Sequence, residues 1–346
     1  MACPPMETSP RKEYSVTISN NELTFAHITD VHLSPLQGFW PRYWSIKRLL
    51  AFANWTARRS KIHKRSVVDQ LTDDMKAHGI SNVVVTGDLV NLGLPTELDA
   101  AGQWLSTLGD KESVTVIPGN HDVYGNTFYE KQPARWMPFM QSNDAGAALI
   151  AATNASKPSP NTEQFTNSDD TTFPLCKVIG PVAFIGLNSA VPTPPFNASG
   201  FLGAAQRDNL AGILVEARRQ NLVRVVLIHH PPLPGQTTLR RSLRDATQLH
   251  SVLETHGAEL VLHGHNHVDE YSSCKADNET IPIIGGASAS IAAPIGNEPL
   301  GRYNIVHIAR MADSVRISIT GRGCKVPNGA ICDVSLNAFE VRMHKT

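Results

Sequence analysis

The stretch Ser113-Val114-Thr115-Val116-Ile117-Pro118-Gly119-Asn120-His121-Asp122 decides how this chain is read. An apolar run of strand length stops at Pro118-Gly119, and residues able to bind cations or carry protons follow at once. The same grammar recurs on both sides of it. Upstream, Leu23–Ile28 runs into Asp30-Val31-His32, and Asn82–Thr86 into Gly87-Asp88. Downstream, Val223–His229 ends in His229-His230-Pro231-Pro232, and Glu259–His263 in His263-Gly264-His265-Asn266-His267. In an open α/β sheet the carboxyl ends of the strands border one crevice, so these five tips can meet in one place.

Between the strands lie segments with helical periodicity: Ser66–His78, Thr96–Leu108, Ala204–Gln220 and Ala246–His256. With a further buried strand at Val182–Leu187, this alternation predicts an α/β protein. The end of the chain changes character. Ile281–Ile284, Arg302–Ala309 and Ser314–Thr320 alternate like strands without intervening helices, which predicts an antiparallel sheet added at the end. One domain is expected over 21–322, with a polar loop insertion at 154–172 and terminal extensions at 1–20 and 323–346.

Length and charge narrow the function classes. A chain of 346 residues suits one large domain. Lys plus Arg and Asp plus Glu both number 31, so the net charge is zero and no nucleic-acid polymer is expected as partner. Histidine, at 14, stands out, because imidazole is the commonest side-chain metal ligand. Cys3, Cys176, Cys274, Cys324 and Cys332 contain no CxxC pair, so neither a zinc ribbon nor a disulfide framework is suggested; Cys324 and Cys332 could bridge a short loop, but reduced thiols are expected. Residues 1–20 lack the apolar core of a signal peptide, and no stretch approaches the ~18 apolar residues of a membrane span. A cytoplasmic location is the expectation.

Each strand-end residue has a plain structural explanation when taken alone. Asp30 or Asp88 could cap a helix, and Asn120 beside Gly119 could be turn chemistry. Five separate strand ends carrying carboxylate, amide or imidazole in this order are poorly explained by five coincidences. The mixed oxygen and nitrogen set, with no thiolate, suits Mn, Fe or Zn.

Asp30-x-His32, Gly87-Asp88, Gly119-Asn120-His121-Asp122, His229-x-Pro231 and Gly264-His265-x-His267 together resemble the calcineurin-like metallophosphoesterase superfamily. The resemblance spans Asp30 to His267. It implies a four-layer αββα sandwich, two mixed β-sheets flanked by helices, with a binuclear metal site at the strand C-terminal ends. Carried across, Asp30, His32 and His267 would hold one ion, Asn120, His229 and His265 the other, and Asp88 would bridge them. The family ligand precedes proline by two positions, which implies His229 rather than His230. His263 reads as structural. The His229-His230-Pro231-Pro232 version, Asp30-x-His32-Leu33, and Gly200-Phe201-Leu202-Gly203 with Gln206 are similar to bacterial class III cyclic-nucleotide and glycerophosphodiester phosphodiesterases.

The implied activity is hydrolysis of a small anionic phosphodiester on two ions (Mn²⁺, Fe²⁺/Fe³⁺ or Zn²⁺) through a metal-bridged hydroxide. His121 would protonate the leaving alkoxide, with Asp122 orienting its imidazole. The alternatives are a phospholipid or lipid-linked pyrophosphate at a membrane surface, and a phosphomonoester.

One segment has no place in that scheme. Gly38–Arg65 combines Trp40, Tyr43, Trp44, Phe52 and Trp55 with eight Lys and Arg residues, and no Asp or Glu occurs between Val31 and Val68. It is expected to be a helical insertion beside the mouth of the site. Lys47 and Arg58 would share one face, as would Arg48 and Arg59, while Tyr43, Ile46, Leu50 and Ala53 would lie along another. It could pack on the domain with its basic face solvated, cover an anionic substrate, or make peripheral contact with an anionic membrane.

Overall fold

The computed structural model describes residues 21–124, 135–153, 173–276 and 279–342. The segments read as an N-terminal extension and as the polar loop 154–172 lie outside the described residues.

The chain opens with β1 (Glu22–Ile28), followed by the short helix α1 (Ile46–Asn54) inside the basic aromatic segment and by α2 (Arg65–Ala77). Next come β2 (Val83–Val85), α3 (Pro95–Leu108), β3 (Val114–Val116) and α4 (Asp144–Ala152). The second half runs β4 (Leu175–Ile179), β5 (Val182–Gly186), α5 (Ala204–Arg219), β6 (Val223–Leu227), α6 (Ala246–His256) and β7 (Leu260–His263). It closes with β8 (Glu270–Ala276), β9 (Glu279–Gly285), β10 (Arg302–Arg310), β11 (Ser314–Cys324) and β12 (Ile331–Arg342).

These strands form two six-stranded mixed sheets, ordered β12-β11-β10-β1-β2-β3 and β4-β5-β6-β7-β9-β8. Alternation along the strands explains why the sheets stack. On β5 and β6, Val182, Phe184, Val223, Val225 and Leu227 join the core that also holds Leu23, Phe25 and Ile305 of the first sheet. Their neighbours Ala183, Ile185, Val226 and Ile228 face the other way, against Leu210, Ile213, Leu214, Leu249 and Leu253 of α5 and α6. The rings of Phe25 and Phe184 meet edge-on across the interface with centroids 4.9 Å apart. Helices α2 and α3 contribute Val68, Leu71, Met75, Leu98 and Trp104 to the core of the first sheet.

Two expectations about the chain end are corrected. The tail adds no separate sheet: β9 lies parallel to β7 inside the second sheet, while β10 and β11 extend the first from β1. The segment beyond 322, read as an extension, supplies β12, which pairs with β11 from Ser314↔Arg342 to Cys324↔Ile331. Its sequence, ICDVSLNAFEVR, is half-exposed and polar on alternate positions, so it lacks the apolar run of a buried strand. Edge strand β8, with Glu270, Ser272 and Lys275, lacks such a run for the same reason. Cys176, Cys274, Cys324 and Cys332 are all free thiols.

Parallel register brings the motif residues together. Ile28 stands beside Val85, and Val85 beside Val116, so β1, β2 and β3 end level. Leu227 is level with Leu262 on the opposing sheet. The residues that follow these five ends therefore emerge along one edge of the sandwich.

Candidate metal centre

The turns after the strands are conformationally demanding. Among the described residues, eight non-glycine positions have positive φ, and five are Asp30, His32, Asp88, His265 and His267. Side chains seldom accept this region unless their surroundings over-determine it, and such positions concentrate at functional sites. Gly87 (φ 95°) shows why one position must be bare: a Cβ there would sit 2.6 Å from the Gly119 amide nitrogen and 2.8 Å from His229 Nδ1.

Two groups of ligand-type side chains form. Asp30, His32 and His267 make one, and Asp88, His229 and His265 the other, with the donor atoms of each group mutually within 4.8 Å. His267 Nε2 is 3.2 Å from Asp30 Oδ1, and His32 Nε2 is 4.0 Å from it. Asp88 reaches both groups through one oxygen, with Oδ2 3.5 Å from His229 Nε2 and 3.9 Å from His32 Nε2. Asn120 Oδ1 joins the second group at 3.2 Å from His229 Nε2. All seven predicted ligands thus converge, with Asp88 between the groups.

The donor chemistry fits metal ions. His32 Nδ1 donates to the Val90 carbonyl at 3.1 Å, His229 Nδ1 to Thr86 O at 2.7 Å, and His267 Nδ1 to Glu298 Oε2 at 2.9 Å. Each bond assigns the proton to Nδ1 and leaves a lone pair on Nε2, the arrangement that outer partners impose on metal-binding imidazoles. Those lone pairs face one another: His32 and His267 meet Nε2 to Nε2 at 3.3 Å, and His265 Nδ1 lies 3.3 Å from His229 Nε2. Facing lone pairs flanked by carboxylates call for a cation between them. Without an ion the carboxylates draw a proton to these atoms instead: burial opposes charge on His229 and His267, yet Asp88 overrides it at the first and Asp30 at the second, lifting each to about 9.

His230 is excluded from the centre. Its Nδ1 meets Ser189 Oγ at 2.7 Å and its Nε2 meets the Ala198 carbonyl at 3.1 Å, so both nitrogens are used. His263 is buried with Nδ1 on the Gly264 carbonyl at 3.1 Å, outside both groups. Gln206 supports the wall, bonding the backbone of Asn188 and Leu202 rather than facing the site.

His121 stands at the edge of this cluster. Its amide donates to Asp88 Oδ1 at 2.7 Å, and its Nδ1 donates to the Asn91 carbonyl at 2.7 Å, so Nε2 carries the lone pair and accepts from Arg59 Nη1. Burial brings the imidazole down to about 4, with Asp88 opposing and Arg59 adding to the shift. The expectation for its neighbour is corrected: Asp122 does not orient His121. Its carboxylate accepts the amides of Asp88, Leu89, Val90 and Gly119 at 2.8–3.1 Å, tying the loop after β2 to the loop after β3. The Asn91 carbonyl holds the imidazole instead.

Three participants carry no motif in the sequence. Glu298 positions His267 from a distant loop with no pattern around it. His63, hydrogen-bonded to Ser290 Oγ at 2.8 Å, packs its ring 5.0 Å from that of His32. Arg59 places Nη1 3.4 Å from His121 Nε2, while its Nε and Nη2 are buried without a hydrogen-bond partner. Arg59 ends the π-helical turn Trp55–Arg59 that follows α1. Its basic neighbours are legible in sequence, but the turn that aims this guanidinium inward is not.

Beside the ligands opens a cavity of about 530 Å³ lined by Lys47, Arg59, Asn120, His121, Tyr124 and Arg241, among others. Lys47 Nζ lies over the Tyr124 ring at 4.3 Å and donates to the Thr193 carbonyl at 2.8 Å.

Comparison with known proteins agrees with this geometry. The family model for calcineurin-like phosphoesterases matches residues 23–269. A dimetal phosphatase from Danio rerio superposes with a TM-score of 0.53 at 15% identity, over 93% of this chain and 99% of that one. A purple acid phosphatase from yellow lupin (Lupinus luteus) gives 0.51 at 12% identity, over 93% of this chain and 54% of the other. No curated protein matches the sequence. The chain belongs to the calcineurin-like phosphoesterase family and is a metal-dependent hydrolase of phosphoric esters.

Proposed function

We propose that the protein hydrolyses a phosphodiester with a small anionic headgroup, using Mn, Fe or Zn ions held by Asp30, His32 and His267 on one side, Asn120, His229 and His265 on the other, and Asp88 between. Bound there, such a pair supplies an activated water and charge stabilisation at the phosphoryl oxygens. The observation that carries the reading is His121: its Nδ1 is pinned to Asn91 O, its ring lies 4.9 Å from that of His32, its amide bonds Asp88, and the residue lines the cavity.

A diester needs a proton for its departing alkoxide, and in this reading His121 Nε2 delivers it. Arg59 Nη1 touches that same atom. An arriving phosphoester engages the guanidinium, and its negative charge favours the imidazolium form that can donate. Arg59 and Lys47 together give the cavity a cationic wall suited to a phosphoryl anion. The diester is either soluble, such as a cyclic nucleotide or glycerophosphodiester, or carried by a lipid; exposed Trp44 and Ile46 in the basic aromatic segment support the lipid version. The test is a side-by-side assay of the metal-loaded protein on 3′,5′-cyclic AMP, 2′,3′-cyclic AMP, a glycerophosphodiester, a phospholipid and a phosphomonoester. Turnover of at least one diester is expected, and hydrolysis of the monoester alone overturns the reading.

A further inference from the structure

The basic aromatic segment is built inside out. Arg48 points inward and is anchored there, with Nε 3.1 Å from Leu92 O and Nη2 3.2 Å from Gly93 O and 2.9 Å from Tyr124 O. Trp55 is buried further along, and Arg59 follows it on the same side. The opposite face carries the apolar residues. Ile46 is 75% exposed, Leu49 42% and Leu50 43%, and Trp40 and Trp44, just before the helix, are 61% and 54% exposed. A helix packed only for folding would bury this set and solvate its arginines. The anchored arginines instead fix the apolar side outward.

The exposed apolar surface continues around the cavity mouth. Leu50 of α1 and Phe196 of the loop after β5 both line the cavity, and Phe196 is 76% exposed. Leu239, 90% exposed, precedes Arg240 of the cavity wall, and the Arg240 carbonyl accepts the Ala198 amide at 2.8 Å, which fastens the two loops together. Three elements therefore present large apolar side chains around one opening. Exposed Arg42, Arg58, Lys61 and Lys64 belong to the same basic aromatic segment, and exposed Arg240 lines the cavity. No carboxylate interrupts residues 32–67. Tryptophan and aliphatic side chains ringed by Lys and Arg are the composition that partitions into the interface of an anionic bilayer.

We propose that the Trp40–Phe52 segment, with Phe196 and Leu239, is a docking surface for an anionic lipid bilayer that seats the cavity mouth at headgroup level. Aliphatic and indole side chains enter the boundary between headgroups and acyl chains, and the lysines and arginines meet lipid phosphates. Docking itself is independent of the chemistry in the cavity. The consequence that the substrate is a membrane-borne phosphoester rests on the phosphoesterase reading.

The test uses the full-length protein in co-sedimentation with vesicles of phosphatidylcholine alone and of phosphatidylcholine mixed with phosphatidylglycerol, at low and physiological salt. Binding is expected to the mixed vesicles, to weaken with salt, and to fall about tenfold or more in Ile46→Glu/Leu49→Glu and separately in Leu239→Glu. Turnover of soluble bis(p-nitrophenyl) phosphate and the melting temperature should be unchanged in these variants, which separates lost docking from misfolding. Absence of vesicle binding by the parent protein overturns the proposal, as does undiminished binding by both variants. A concentration-dependent dimer that Ile46→Glu/Leu49→Glu dissolves assigns the face to a second copy instead. Vesicle binding without turnover of any phosphoester leaves docking intact and refutes the activity, so the two failures are distinguishable.

Discussion

Arg59 Nη1 lies 3.4 Å from His121 Nε2, although the two residues are 62 positions apart and belong to different structural units. The contact joins a helical insertion to the loop after β3. It places a fixed cation against the ring nitrogen of His121 that the Asn91 carbonyl does not hold.

Arg59→Ala is expected to lower kcat/KM for a diester by about 10²-fold, the usual effect of removing one charge-stabilising donor. Arg59→Lys should restore only part of this, because a point charge cannot reproduce the planar fork. Steady-state kinetics alongside elemental analysis check the prediction, since metal content should be unaltered in both variants.

His121→Ala should cost on the order of 10²–10⁴ in rate with metal retained. The loss should be smallest for leaving groups of low pKa, which depart without a proton. A series of aryl and alkyl diesters measures this directly. Equal losses across the series would contradict the general-acid role.

Asp122 carries a different prediction because its carboxylate is spent on amides. Asp122→Asn replaces one acceptor oxygen by a donor that faces those amides. The expected result is destabilisation by about 1–3 kcal/mol, the cost of an unsatisfied buried polar group. Metal affinity should fall with it, since the loop after β2 carries Asp88 and the loop after β3 carries Asn120. Urea denaturation and metal titration together distinguish this from a purely kinetic defect.

Chelation should lower thermal stability as well as activity. A ligand that binds only the folded state stabilises it by about 2.7 kcal/mol at one hundred times its dissociation constant. Imidazole nitrogens facing one another at 3.3 Å beside buried carboxylates make the centre a costly region without cations. Differential scanning calorimetry with and without EDTA and added Mn²⁺ should show a lower melting temperature for the stripped protein.

Much of this site is legible in the amino-acid sequence. Asp30, His32, Asp88, Asn120, His229, His265 and His267 each follow an apolar strand, so periodicity and strand-end chemistry put them on one edge together. The parts that are not legible depend on longer-range geometry. Glu298 meets His267 from a loop whose position is set only once β9 and β10 are in their sheets. Asp122 is next to His121 in sequence, yet its side chain turns to the amides of the neighbouring loop, which adjacency cannot predict. The insertion is ambiguous for a third reason. Amphipathic patterning shows two faces without saying which is buried, and here the inward face carries Arg48 because backbone carbonyls, among them those of Leu92, Gly93 and Tyr124, satisfy it. Strands β8 and β12 lack apolar runs because each is an edge.

Asp88 stands between the two groups of ligand-type side chains, and the proposed hydrolysis depends on both. The decisive measurement is metal stoichiometry and bis(p-nitrophenyl) phosphate turnover on the same samples of parent protein and Asp88→Asn after metal loading. Two ions per chain and turnover are expected in the parent, with Asp88→Asn losing metal and activity together. Turnover that persists in the variant, or in parent protein stripped of metal, would contradict this dependence.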